Sequence, residues 1–157
     1  MSQLKIGDKA PDFCLIDADK NNVCLSDLLG KWIILYFYPK DNTPGCTLEA
    51  INFTKEIAWF SDQNALVLGV SPDSNKSHCN FRDKHNLKIT LLSDPEHEVL
   101  ETYGVWVLKK MMGHEYFGVE RSTFLIDLNG KIVHIWKKVK VPNHIKEIKE
   151  KFISIRG

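Results

Sequence analysis

The chain has 157 residues, 43% hydrophobic and 26% charged, a size and composition typical of one globular domain. Its 21 basic and 20 acidic residues leave a formal net charge of +1, so no electrostatic field invites nucleic acid or an anionic membrane, and the Lys137, Lys138, Lys140 patch reads as a solvated face. No run approaches the roughly 18 apolar residues of a membrane span, and MSQLKIGDKAPDF lacks the apolar core of a secretory signal, so a single cytoplasmic domain over 1–157 is expected.

In chain order, DFCLID alternates around Cys14 in a short strand, and NNVCLSDL carries Cys24 between a polar turn and a short helix. Both cysteines read as packing residues, because free Cys is among the most buried residue types. The four cysteines, at 14, 24, 46 and 79, form no CxxC pair and no Cys/His cluster of zinc spacing, so no structural metal is expected. A reducing compartment argues against permanent bridges among them.

WIILYFY at 32–38 is a continuous apolar, β-branched run ended by Pro39, as in a strand covered on both faces. A helix is predicted over 47–60 from the spacing of Phe53, Ile57 and Phe60. ALVLGV at 65–70 repeats the buried-strand character, and 75–86 forms a polar helix anchored by Phe81. Within 94–104 Asp94 is placed to cap a third helix, with Pro95 at its first position and Gly104 past its end. Trp106, Met111, Met112, Tyr116 and Phe117 make an apolar loop around Gly113 and Gly118, read from the residues as ordinary loop packing. TFLIDL (123–128) and KIVHIW (131–136) flank Asn-Gly, a hairpin signal. Asn143 is placed to cap a last helix with Ile145, Ile148, Phe152 and Ile155 on one stripe. This order describes an α/β protein with a mixed central sheet flanked by helices, matching a thioredoxin-like layout.

Cys46 falls where the first long strand has ended and a helix begins. A sulfur in the first helical turn faces unpaired N–H groups and the positive end of the helix dipole, and both favour the thiolate. Pro44 and Gly45 shape the entry, Thr43 brings a hydroxyl close, and Pro39 lacks an N–H and can shield the thiol from water. Arg121 opens a core strand, an expensive place for a charge without a partner. That partner is a thiolate or an acid such as Glu120 or Glu49.

YPKDNTPGCT resembles the active-site loop of the peroxiredoxins, Pro-x-x-x-Thr-x-x-Cys, here Pro39, Thr43 and Cys46. The Thr-Pro-Gly-Cys-Thr-x-Glu form is similar to the bacterioferritin comigratory protein, or peroxiredoxin Q, subfamily. IGDKAPDFCLIDADKNNVCLSDLLGKWIILYFYP, GVSPDSNKSHCNFRDKHNL and MMGHEYFGVERSTFLIDLNGKI continue the likeness in order along nearly the whole chain. The resemblance implies a thioredoxin fold with an N-terminal extension and reduction of hydrogen peroxide and organic hydroperoxides without a cofactor. It makes Cys46 the peroxidatic nucleophile, Thr43 its hydrogen-bonding neighbour, Pro39 its shield and Arg121 the guanidinium beside the sulfur. It also implies a monomer, and it sets the apolar loop of Trp106, Met111, Met112, Tyr116 and Phe117 near the active site, as a wall of the peroxide pocket in place of ordinary packing.

Many members of this subfamily place a second cysteine five residues after the first, where this chain has Ile51. Cys79, on the next helix, lies three residues before the position that other relatives use. Cys79 is the first candidate to resolve Cys46, ahead of Cys24 and Cys14, which read rather as packing; if none of the three serves, the enzyme has one working cysteine and an outside thiol (thioredoxin, glutaredoxin or a small thiol) acts on the sulfenic acid. Two rival readings fit less well. A thioredoxin-like disulfide reductase needs a CxxC, and Glu49 and Thr43 occupy the positions three after and three before Cys46. An interaction module would leave the reactive loop unexplained.

Overall fold

In the computed structural model, which describes residues 3–156, the apolar runs become the middle of a seven-stranded sheet. The elements are β1 (Cys14–Asp17), β2 (Asn22–Cys24), a 3-10 turn (Leu25–Leu28), β3 (Trp32–Phe37), α1 (Pro44–Lys55), α2 (Ile57–Asp62), β4 (Ala65–Ser71), α3 (Asn75–His85), β5 (Thr90–Ser93), α4 (Glu98–Thr102), β6 (Trp106–Met111), β7 (His114–Val119), β8 (Ser122–Ile126), β9 (Ile132–Trp136) and α5 (His144–Arg156). Strand order is β2-β1-β5-β4-β3-β8-β9. β3, β4 and β5 are parallel neighbours, while β8, β9 and the β1–β2 extension run antiparallel, so the sheet is mixed as expected.

The period of two along β3 separates two cores. Ile33, Leu35 and Phe37 join Leu68, Val70, Leu92, Phe124, Leu100 and Tyr103 on one face. Ile34, Tyr36 and Tyr38 join Val67, Leu91, Phe53, Phe60, Phe81, Ile148 and Phe152, from α1, α2, α3 and α5, on the other. Cys46 belongs to this second cluster.

Several elements differ from their predicted bounds. The helix expected over 47–60 is two helices: Glu56 leaves helical geometry, with its N–H turned to Phe53 O at 3.1 Å, and the break lets both Phe53 and Phe60 reach the core. The third helix starts at Glu98, because His97 adopts a left-handed φ of 63°; Asp94 still closes it from outside, its Oδ2 accepting from Leu100 N at 2.9 Å. The Asn-Gly hairpin closes through a longer loop, in which Asp127 Oδ1 accepts from the N–H groups of Asn129 and Lys131. On α5, Ile145, Ile148 and Phe152 are buried but Ile155 is exposed. The apolar loop expected around Gly113 is a two-stranded hairpin, β6–β7, separate from the main sheet.

The two cysteines read as packing residues are also corrected. Cys14 and Cys24 are bonded to each other, facing partners across the β1–β2 ladder with α-carbons 4.0 Å apart. The reading failed because it treated the residues singly; the antiparallel register puts their side chains on one face, directly opposed.

Candidate active site

Two strands deliver the site. β3 ends at Phe37, the chain loops through residues 38–43, and Thr43 starts α1 with extended backbone (φ −88°, ψ 153°). Pro44 takes the first helical position, where its missing N–H is harmless. Cys46 therefore lies in the first turn, 2% exposed. β8 runs antiparallel to β3 with Ser122 opposite Phe37. Arg121, one residue before Ser122, thus arrives beside the loop.

The contacts follow from that register. Arg121 Nη2 donates to Cys46 Sγ at 3.2 Å, and Nη1 donates to Glu49 Oε1 at 2.5 Å. Glu49 lies three residues after Cys46, so both occupy one face of α1. Sequence reasoning offered an acid or a thiolate as alternative partners for Arg121; the fork of the guanidinium takes both.

Glu49 is fully buried and its Oε2 has no hydrogen-bond partner among the described residues. Burial raises its carboxyl to about 7, with the charge and hydrogen bond of Arg121 acting against that rise. Arg121 is pushed up: burial works against its charge, and the neighbouring Glu49 and Cys46 outweigh it. Behind them stands Tyr36, whose phenol is raised by burial first and then by Glu49 and Cys46. Its ring lies across Gly69 on β4, where a Cβ would stand 2.8 Å from Cζ, so the close approach requires glycine.

Thr43 and Pro39 take more modest places. The Thr43 hydroxyl donates to Lys40 O at 2.8 Å, tying the loop to itself rather than to the sulfur. Pro39 is half-buried where β3 passes into the loop.

The loop has a second anchor that sequence reasoning missed. Asp41 and His78 are buried, with His78 Nδ1 2.7 Å from Asp41 Oδ2. On its other side His78 Nε2 lies 2.9 Å from Leu92 O, so the ring is held between the loop carboxylate and β5. Tyr38 donates to Asp41 Oδ1 at 2.6 Å and Ser77 to Oδ2 at 2.8 Å. Asp41 N donates to Asp73 Oδ2 at 2.8 Å. Ligand atoms of Asp41, Asp73 and His78 lie within 4.8 Å of one another, but protein donors already satisfy them. This cluster clamps the Cys46 loop to α3 and β5. No spacing rule pairs Asp41 with His78, since 37 residues separate them.

Cys79 follows His78 on α3 and is half-buried. Arg82 Nη2 donates to its sulfur at 3.5 Å, its own thiol points to Asp83 Oδ2 at 3.7 Å, and Arg82 also pairs with Asp19 at 2.9 Å. Both Cys46 and Cys79 are free thiols. Ile51 packs against the second core cluster.

The site holds a sulfur in a buried first helical turn against a guanidinium fixed by a carboxylate, and the fold around it is thioredoxin-like. Comparison with known proteins agrees. The AhpC/TSA family pattern matches residues 6–135. The chain is 51% identical over 144 residues to peroxiredoxin Bcp of Bacillus subtilis, covering 92% of each, and 43% identical to peroxiredoxin Bcp of Escherichia coli, again over 92% of each. A crystal structure of a cysteine-to-serine variant of Xylella fastidiosa PrxQ superposes with a TM-score of 0.94 at 38% identity over the whole of both chains. A Xanthomonas campestris bacterioferritin comigratory protein, described for its alkyl peroxide reduction activity, superposes with a TM-score of 0.89 at 36% identity over 92% of each. The chain belongs to the AhpC/TSA family, and within it to the Bcp/peroxiredoxin Q group. It is a thiol peroxidase, a class that acts on hydroperoxides with thiol reductants.

Proposed function

We propose that Cys46 is the peroxidatic nucleophile and that Arg121 is the residue that orients and stabilises the reacting groups. The carrying observation is the Arg121 Nη2–Cys46 Sγ contact at 3.2 Å inside a buried helix start. The thiolate attacks the near oxygen of the hydroperoxide; the S–O bond forms, the O–O bond breaks, and the alcohol or water leaves after taking a proton. Arg121 and the N–H groups of the first turn of α1 face the charge that moves onto the leaving oxygen. Cys46 becomes a sulfenic acid. Glu49 is a positioning residue, fixing the guanidinium through Nη1. Thr43 shapes the loop through its hydrogen bond to Lys40 O, and its hydroxyl oxygen is offered to the substrate as a hydrogen-bonding partner. Pro39 shields the sulfur from the strand side.

Cys79 is the resolving thiol in this reading. It condenses with the Cys46 sulfenic acid, releasing water, and the disulfide is reopened by thioredoxin, glutaredoxin or a small thiol. Its support is that the Asp41–His78 clamp ties the Cys46 loop to the helix that carries Cys79. The chain works as a single thioredoxin-fold unit, as a monomer and in the cytoplasm. Among the described residues no helix is long and apolar enough to cross a membrane.

The test is peptide mapping after one equivalent of peroxide, with turnover measured in parallel. Cys46→Ser should lower peroxide consumption by roughly a thousandfold or more. Full turnover in that variant would end the assignment. In wild type a Cys46–Cys79 linked peptide is expected, and Cys79→Ser should stop at the sulfenic acid. A sulfenic acid with no bridge in wild type would instead give resolution to the outside thiol.

A further inference from the structure

We propose that Cys14 and Cys24 form a second, reversible dithiol–disulfide couple on the edge of the sheet, independent of the Cys46 centre. The bond joins the two outermost strands, β1 and β2, at positions that face each other across the ladder. Cys14 is exposed, so a thiol donor can reach it. Cys24 is half-buried, and Asn22 Nδ2 donates to its sulfur at 3.4 Å. An attack therefore has a direction, with Cys14 as the open sulfur and Cys24 as the leaving group that already has a hydrogen-bond donor.

The frame around the couple outlasts its opening. Next to the bridge the ladder continues through Leu25 N–H to Phe13 O at 3.0 Å, and both residues are buried, Leu25 at 2% and Phe13 at 7%. On the far side Leu15–Val23 and Ile16–Asn22 pair. Reduction breaks one covalent bond but leaves the two sulfurs opposed, so closure remains an intramolecular step. Cytoplasmic disulfides in most organisms are transient or redox-sensing rather than permanent, which fits a couple that opens and closes.

The chemistry balances with reagents that a peroxidase meets. A donor thiolate attacks Cys14 Sγ, the Cys14–Cys24 bond breaks, and Cys24 leaves as a thiolate that takes a proton from water. The donor's second thiol then attacks its own sulfur in the mixed disulfide and frees Cys14. The donor dithiol is oxidised to a disulfide, and two electrons and two protons pass to the cysteine pair. Closure uses one hydroperoxide: Cys14 thiolate takes one oxygen to become a sulfenic acid as alcohol or water leaves, and Cys24 displaces water to form the bridge. β1 is antiparallel to β5, with Ile16 opposite Ser93, so Cys14 lies toward the sheet end where β3, β4 and β5 finish. That is the end that carries Cys46. Three strand spacings separate β1 from β3, roughly 14 Å across the sheet.

The experiment uses the full chain with Cys46→Ser and Cys79→Ser, which removes the other two thiols and makes the result independent of the peroxidase reading. Native protein is treated with dithiothreitol, then with hydrogen peroxide, and alkylated and weighed at each stage. Two alkylated thiols after the dithiol and none after peroxide are expected. In the same background Asn22→Ala should slow opening by dithiothreitol roughly threefold to tenfold, the worth of one hydrogen bond. A bridge that resists excess dithiol in the folded protein, or thiols that stay open after peroxide, would overturn the proposal. An Asn22→Ala chain that opens at the unaltered rate would overturn the direction of attack.

Discussion

Two sulfurs in this chain face a guanidinium that is itself held by a carboxylate. Cys46 has Arg121 and Glu49; Cys79 has Arg82, with Asp19 and Asp83. The difference lies in water. The Arg121 and Glu49 side chains are 17% and 0% exposed, whereas Arg82, Asp19 and Asp83 are 28%, 60% and 67% exposed. A charge pair near the surface is screened by solvent and salt, while a buried pair keeps most of its interaction and is costly to break. Position adds to this: Cys46 stands in a first helical turn, and Cys79 in the middle of α3. Identical group types thus give a buried, tightly held sulfur in one place and a half-exposed, loosely held one in the other.

The anchors of the two regions should separate most widely. His78→Ala removes the partner of a buried aspartate and should lower the unfolding free energy by about 4 kcal/mol, read by urea denaturation. A loss below about 1 kcal/mol would mean that the clamp does not hold the buried region. The two guanidinium groups come next. Arg121→Ala should slow the peroxide reaction of Cys46 roughly a hundredfold, and Arg82→Ala should change it less than about threefold, in stopped-flow kinetics. Equal effects would erase the distinction between the sites.

Glu49 sharpens the contrast through pH. Its folded value, about 7, lies above the ordinary 4.5 because it is buried. The folded protein therefore keeps a proton that the unfolded chain releases between those values. Stability contributed by the protonated group is complete below about 4.5 and falls as pH rises to about 7, by no more than about 3 kcal/mol. Glu49→Gln should flatten that stretch of the stability curve and remove the inflection near pH 7 from the peroxide rate; an unchanged curve would contradict the burial argument. The smallest effect belongs to the exposed pair. Asp19→Asn should cost less than about 1 kcal/mol, and the difference should shrink in 1 M salt.

Much of this was legible in the sequence where local chemistry speaks for itself. The unbroken, β-branched run at 32–38 suited a covered strand, Pro-Gly-Cys after it marked a helix entry, and Arg121 at the mouth of an apolar run demanded a partner. What escaped depends on long-range register. Asp41 meets His78, and Cys14 meets Cys24, only once strands and helices are paired in space. The break at Glu56 and the late start of α4 are tertiary choices: each sacrifices helical continuity to bring side chains such as Phe60 and Leu100 into a core. The β6–β7 hairpin was hidden because Met112 and Gly113 turn with positive φ, and Met112 does not advertise such a conformation.

The clamp between Asp41 and His78 carries a kinetic consequence. If Cys79 resolves Cys46, the bridge forms only from molecules in which loop and helix have loosened, and every 1.4 kcal/mol stored in the clamp makes them tenfold rarer. Meanwhile a second hydroperoxide competes for the same sulfenic acid and carries it to the sulfinic state. The hydrogen bonds around Asp41 would then act as a timer. Their strength sets the peroxide concentration at which repair loses the race to irreversible oxidation.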